Sequence, residues 1–142
     1  MQIAECYMTL GGIPYYFSLM QPSLNVAQNI DALFFNENAP LKNEFEDLYR
    51  ALYKNYKSYI KVIKALAGKG IDLTCQELLQ NTRLVNNGEF SKMLEELELC
   101  GFIRCYLPLE ASKNKGSYAR VARSTIYQLI DFFSLFYREI SL

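Results

Sequence analysis

Residues 71–106 read IDLTCQELLQNTRLVNNGEFSKMLEELELCGFIRCY, and the fold is decided there. Thr74 and Glu77 stand three apart before a pair of leucines. At this spacing a hydroxyl and a carboxylate can satisfy each other's backbone N–H at a helix start. A short helix follows, with Leu78 and Leu79 on its apolar side. Phe90, Met93, Leu94 and Leu97 then recur with the helical period, and Gly101 is placed to end this second helix in a left-handed turn. The stretches Phe102 to Leu107 and Ser124 to Leu129 have the character of strands, and a polar loop from Pro108 to Arg123 separates them. Helix, turn, helix, strand, loop, strand is the order of a winged helix. That scaffold serves nucleic-acid binding and protein docking alike, so the order alone assigns no function.

Upstream, residues 3–10 carry Ile3, Ala4, Tyr7, Met8 and Leu10 and stop at Gly11-Gly12, which predicts the end of a helix whose start lies before Met1. Pro14 is suited to open a short helix running to Met20. Ser23 or Asn25 can cap a third one containing Val26, Ile30, Leu33 and Phe34, with a loop from Asn36 to Pro40 after it. From Leu41 to Ala67 the side chains of Phe45, Leu48, Leu52, Tyr56, Tyr59 or Ile60, Ile63 and Leu66 keep the helical period, predicting one long helix. Its other face holds Lys42, Arg50, Lys54, Lys57, Lys61 and Lys64, as a solvated face does. Tyr49, Tyr53, Tyr56 and Tyr59 interleave with them and are expected to pack with their hydroxyls toward water or a partner. After Asp131, a suitable cap, Phe132, Phe133, Leu135, Phe136, Tyr137 and Ile140 make a final helix that is apolar almost all round. Such a helix on a small domain calls for a cover, either a homodimer or a protein segment outside this chain. The expected fold is therefore mainly α, of the α+β kind. A small helical bundle (1–41) precedes a winged-helix domain with its linker helix (42–130) and an apolar C-terminal helix (131–142).

Composition narrows the chemistry. Basic and acidic residues balance at 15 each in 142 residues, so the overall basic excess of a charge-driven nucleic-acid binder is missing. The balance arises by alternation: residues 1–41 hold three acids and no base, 42–71 seven bases and three acids, 72–101 six acids and two bases, 102–142 six bases and three acids. Histidine is absent, which excludes a histidine-assisted nucleophile and any histidine metal site. Cys6, Cys75, Cys100 and Cys105 lack the CxxC spacing of a zinc or redox centre and are expected to be reduced thiols, with Cys100 and Cys105 buried as small hydrophobes. Without a membrane-length apolar run or a basic leader, the expected location is the cytoplasm.

Three segments together resemble the archaeal-type P-loop ATPases, in which an AAA-like nucleotide domain precedes a helical lid and a winged helix. They are Leu10-Gly11-Gly12-Ile13-Pro14-Tyr15-Tyr16; Asn29-Ile30-Asp31-Ala32-Leu33-Phe34-Phe35 with Ala39-Pro40-Leu41 and Glu44-Phe45; and Tyr127-Gln128-Leu129-Ile130-Asp131-Phe132-Phe133-Ser134-Leu135-Phe136-Tyr137. The resemblance implies that residues 1–41 are part of the lid, and that the chain is a carboxy-terminal portion of such a protein. It carries neither the G-x-x-x-x-G-K-[ST] phosphate loop nor the acidic strand that holds magnesium, so catalysis, ATP and Mg2+ would belong to the intact family protein and no cofactor to this chain. The resemblance also implies that Gly11, Gly12 and Pro14 form a lid turn facing the bound nucleotide.

Charge decides between the uses of the winged helix. Its second helix would present Asn87, Ser91 and Lys92 at a DNA groove, but Glu89, Glu95, Glu96 and Glu98 surround them, and phosphates repel such a helix. The loop between the strands carries Lys113, Lys115, Arg120 and Arg123 and could grip a backbone or a partner. The expected function is a non-catalytic interaction and regulatory module. Its partners would be the missing ATPase domain and a protein or second copy meeting the apolar end helices. The alternative is a winged-helix DNA-binding transcriptional regulator.

Overall fold

The structure, a computed structural model, describes residues 2–69, 72–106 and 125–140. It is mainly helical, with a small three-stranded antiparallel sheet. Met1, Ile71, Leu107, the loop from Pro108 to Arg123 with Lys113, Lys115, Arg120 and Arg123, and Ser124 lie outside the described residues. The chain divides into two compact units, one formed by Met1–Tyr56 with Phe132–Leu142 and the other by Lys57–Asp131.

The first unit contains helices α1 (Gln2–Leu10), α2 (Pro14–Ser18), α3 (Val26–Ile30), α4 (Glu44–Leu52) and, from the far end of the chain, α8 (Phe132–Ile140). Gly11 and Gly12 have φ of 65° and 73°, so the turn after α1 needs residues free of a Cβ penalty. Pro14 occupies the first turn of α2, where its missing N–H costs nothing. Asn25 is the cap of α3. It accepts from the Gln28 N–H at 2.9 Å, while Gln28 returns the bond to the Asn25 N–H at 3.0 Å. α3 continues into a π-helical turn, Asp31–Phe35, that no sequence signal announced; it buries Leu33 and Phe34. Buried Asn29 ties the preceding loop down, accepting from the Gln21 N–H at 2.7 Å and reaching the carbonyls of Gln21, Leu24 and Asn25.

The long helix from Leu41 to Ala67 is two helices, α4 and α5 (Tyr56–Lys69), because Tyr53 takes extended angles of φ −131° and ψ 131° and is buried. The interruption at 53–55 is close to one helical turn in length, so the apolar positions stay in phase across it and periodicity alone cannot reveal it. The buried side of α4 is Phe45 and Tyr49, while Leu52 is 49% exposed. Of the tyrosine hydroxyls, that of Tyr49 turns inward and shares a hydrogen bond of 3.0 Å with buried Ser134, Tyr59 donates to Glu96 in a half-buried position, and Tyr56 donates to Glu46 at the exposed surface, as expected.

The C-terminal helix finds cover for several of its rings within the chain. Phe133 of α8 is fully buried, its ring 5.2 Å from that of Tyr16 and 6.3 Å from that of Phe34. Phe136 meets Phe34 edge-on at 5.2 Å, and Tyr137 stacks on Phe45 at 4.8 Å while its hydroxyl donates to the Lys42 carbonyl. The cover for these rings is the chain's own N-terminal helices. The sequence distance hid it, since nothing local in residues 132–137 names a partner so far upstream. Phe132 remains 43% exposed, with Tyr7 against its edge.

The second unit holds α5, β1 (Leu73–Thr74), α6 (Cys75–Thr82), α7 (Gly88–Leu99), β2 (Ile103–Tyr106) and β3 (Ile126–Leu129). The capping box is present as expected: the Glu77 N–H donates to Thr74 Oγ1 at 3.3 Å, and the Thr74 N–H donates to Glu77 Oε2 at 2.8 Å. Phe90, Met93, Leu94 and Leu97 are buried, as their spacing predicts. α7 ends as its glycine requires, with Gly101 at φ 78°, its N–H bonded to the Glu98 carbonyl and that of Phe102 to the Leu97 carbonyl, both at 3.0 Å. Beyond the two expected strands, Leu73–Thr74 adds a third. β3 lies between β1 and β2, antiparallel to both, with Tyr127 opposite Leu73 on one side and Cys105 on the other. A two-residue strand is too short for an alternating pattern to show.

Candidate functional site

The residues expected to bear function fall in both units. Asn87 is the N-cap of α7, and its Oδ1 accepts from the Phe90 N–H at 3.0 Å, so its side chain is engaged in holding the helix start. Ser91 and Lys92 are exposed one turn on. Lys92 approaches Glu96 at 3.7 Å, a loose pair in solvent that leaves little net charge to offer a phosphate. Glu89, Glu95 and Glu98 are exposed on the same helix, so the acidic character read from the sequence is displayed at the surface.

Between α6, α7 and β3 lies a cleft of about 630 Å³. Cys75, Gln76, Ser91, Glu95, Glu98 and Tyr127 contribute to its lining. Sequence reading missed it because its parts come from three separated elements; only the strand register brings Tyr127 beside Cys105. Glu98 is held in place by the Cys105 N–H, which donates to its Oε1 at 3.0 Å. Burial pushes the Tyr127 hydroxyl up to about 12, and the neighbouring thiols and Glu98 and Glu95 add to the shift. Burial also raises the thiols of Cys75 and Cys105, the latter helped by Glu98. The cleft therefore sets Glu95 and Glu98 beside a phenol and the Cys75 thiol whose proton loss burial disfavours, an acidic setting ill-suited to phosphate and one that leaves the thiol a weak nucleophile.

The cysteine expectation is corrected in part. All four cysteines are free, but Cys100 is exposed and Cys105 only half-buried. Cys100 sits at the C-cap of α7, where the chain turns outward, and a helix end offers no enclosing core. Cys6, in contrast, is buried.

In the first unit the Gly11-Gly12 turn has a packing reason. A Cβ on Gly11 would stand 3.0 Å from Cβ of Phe133, and one on Gly12 2.6 Å from the Tyr7 ring. Pro14 and Tyr15, just after the turn, are exposed, Tyr15 by 60%. Glycines thus serve the close approach of the chain to itself, while the proline edge faces outward. Among the described residues no group of three potential metal ligands comes together, and no helix is long and apolar enough to cross a membrane.

Two tyrosines give a pH test of the packing in the second unit. Tyr59, which donates to Glu96, is pushed up to about 12 by burial and then by that bond, and Tyr127 to the same level. An unfolded tyrosine loses its proton near ~10. The folded state therefore holds protons that the unfolded state has released, so this contribution is complete below about pH 10 and fades as pH rises toward about 12. Denaturant midpoints measured from pH 9 to 12 are expected to fall over that window, and to fall less steeply in a Tyr59→Phe/Tyr127→Phe variant. Equal slopes in both proteins would contradict the assignment.

Compared with family models, with curated proteins and with solved structures, the chain matches none of them.

Proposed function

We propose that the chain is a non-catalytic interaction and regulatory module of an AAA-like P-loop ATPase, a lid portion followed by a winged helix that together pass the nucleotide state to a partner. The observation that carries the reading is the arrangement of the second unit. Helices α5, α6 and α7 accompany a sheet of order β1-β3-β2, an arrangement that supports a winged helix, while the helix that would enter a DNA groove exposes Glu89, Glu95 and Glu98. Such a helix is suited to a protein surface and poorly suited to phosphates. The exposed Pro14 and Tyr15 after a tight glycine turn support a lid contact with nucleotide, because an apolar rigid edge can lie against a base. ATP and Mg2+ would be held by the attached nucleotide domain, with no catalytic residue supplied from here. The winged-helix order equally supports a DNA-binding regulator gripping the backbone through Lys113, Lys115, Arg120 and Arg123, and the acidic α7 weighs against it.

The lid assignment is tested by calorimetry on the intact ATPase. Pro14→Ala is expected to weaken ATP binding several-fold with the fold unchanged by circular dichroism. The same ATP affinity in both proteins would contradict the assigned contact.

A further inference from the structure

α5 displays charge of one sign on one side. Lys57, Lys61 and Lys64 are exposed and recur at i, i+4 and i+7, which gathers them within roughly 60° of arc and along roughly 10 Å of helix. The segment Tyr56–Lys69 contains no aspartate or glutamate, and among the described residues no carboxylate pairs with these three lysines. Val62, Ile63 and Leu66, on the opposite side of the helix, are buried. Tyr59 is on that side too, and its bond to Glu96 places the acidic α7 away from the lysines.

What the face lacks is as informative as what it has. A protein interface needs an apolar centre, and a helix lying on a membrane needs large apolar side chains to insert. Among the described residues of α5, no large apolar side chain is exposed. A row of lysines without such side chains gains its binding energy from releasing the counterions of a linear polyanion. We propose that the Lys57, Lys61 and Lys64 face of α5 docks the phosphate backbone of a nucleic acid without reading its bases. This contact does not depend on the ATPase reading and does not use the groove-facing side of α7.

The test is fluorescence anisotropy of a labelled duplex of about two helical turns, titrated with the 142-residue chain at several salt concentrations. Three phosphates neutralised give a slope of log K against log salt near about −2.7, or roughly a fortyfold loss between 50 and 200 mM. Lys57→Gln/Lys61→Gln/Lys64→Gln is expected to weaken binding at least tenfold at 50 mM and to flatten the slope by that amount. The corresponding triple arginine variant is expected to retain it, and a duplex of shuffled sequence to bind equally. A variant neutralised at Lys113, Lys115, Arg120 and Arg123 is expected to keep the α5 share of the slope. No binding of duplex at low salt overturns the proposal, as does binding that survives the triple glutamine variant unchanged. Capture by polyglutamate or anionic vesicles in place of duplex overturns it as well. A flat duplex titration alongside nucleotide-dependent binding to an ATPase domain would remove this face and leave the module reading standing.

Discussion

Phe133→Ala is expected to cost the first unit about 3 to 5 kcal/mol, enough to remove much of the stability of an ordinary domain. Phe133 is fully buried and lies against both Tyr16 and Phe34, so truncation opens a cavity with aromatic walls that cannot collapse without moving two helices. The adjacent Phe132, 43% exposed, serves as the control, and Phe132→Ala is expected to cost under about 1 kcal/mol. Because the chain has no tryptophan, the unfolding curve is read by far-ultraviolet circular dichroism or tyrosine fluorescence. Equal, small effects at the two positions would mean that α8 is a docking face awaiting a partner, the arrangement its sequence suggested.

Leu97→Ala carries the second large effect, about 2 to 5 kcal/mol in the second unit. Leu97 has no exposed surface, and its carbonyl accepts the Phe102 N–H that closes the end of α7 and leads into β2. Alanine keeps that backbone bond, so the cost comes from the buried side chain and the cavity its truncation leaves beside the end of α7. Glu95→Ala, on the exposed side of the same helix, is expected to change stability by less than about 0.5 kcal/mol. The contrast is read from denaturant midpoints at constant slope, and a Leu97→Ala midpoint matching that of Glu95→Ala would contradict the assigned core.

These effects also mark where the sequence was legible. Thr74 with Glu77, the apolar set of α7 and Gly101 are local signals, each needing only its own few residues, and each stands where it was expected. The two longer strands were legible for the same reason. The break at Tyr53, the π-helical turn and the two-residue β1 are tertiary choices. Burying Tyr49 and Tyr53 outweighed helix continuity, and pairing with β3 made a strand of two residues that have no pattern of their own. The cover over α8 was invisible because it comes from the other end of the chain. At the candidate sites, the acidic surface of α7 could be read directly from composition, whereas the cleft around Tyr127 depends on cross-strand register. The glycines of the expected lid turn have an internal packing reason that sequence spacing could not separate from a ligand-facing one.

The central claim is that this chain responds to the nucleotide state of a partner ATPase. Calorimetric titration of the chain into the nucleotide domain of an archaeal-type P-loop ATPase, loaded in turn with ATP and with ADP, tests it most directly. The account predicts affinities that differ at least about fivefold between the two states, the scale of a coupling near 1 kcal/mol. Equal affinities, or no binding in either state, would contradict it.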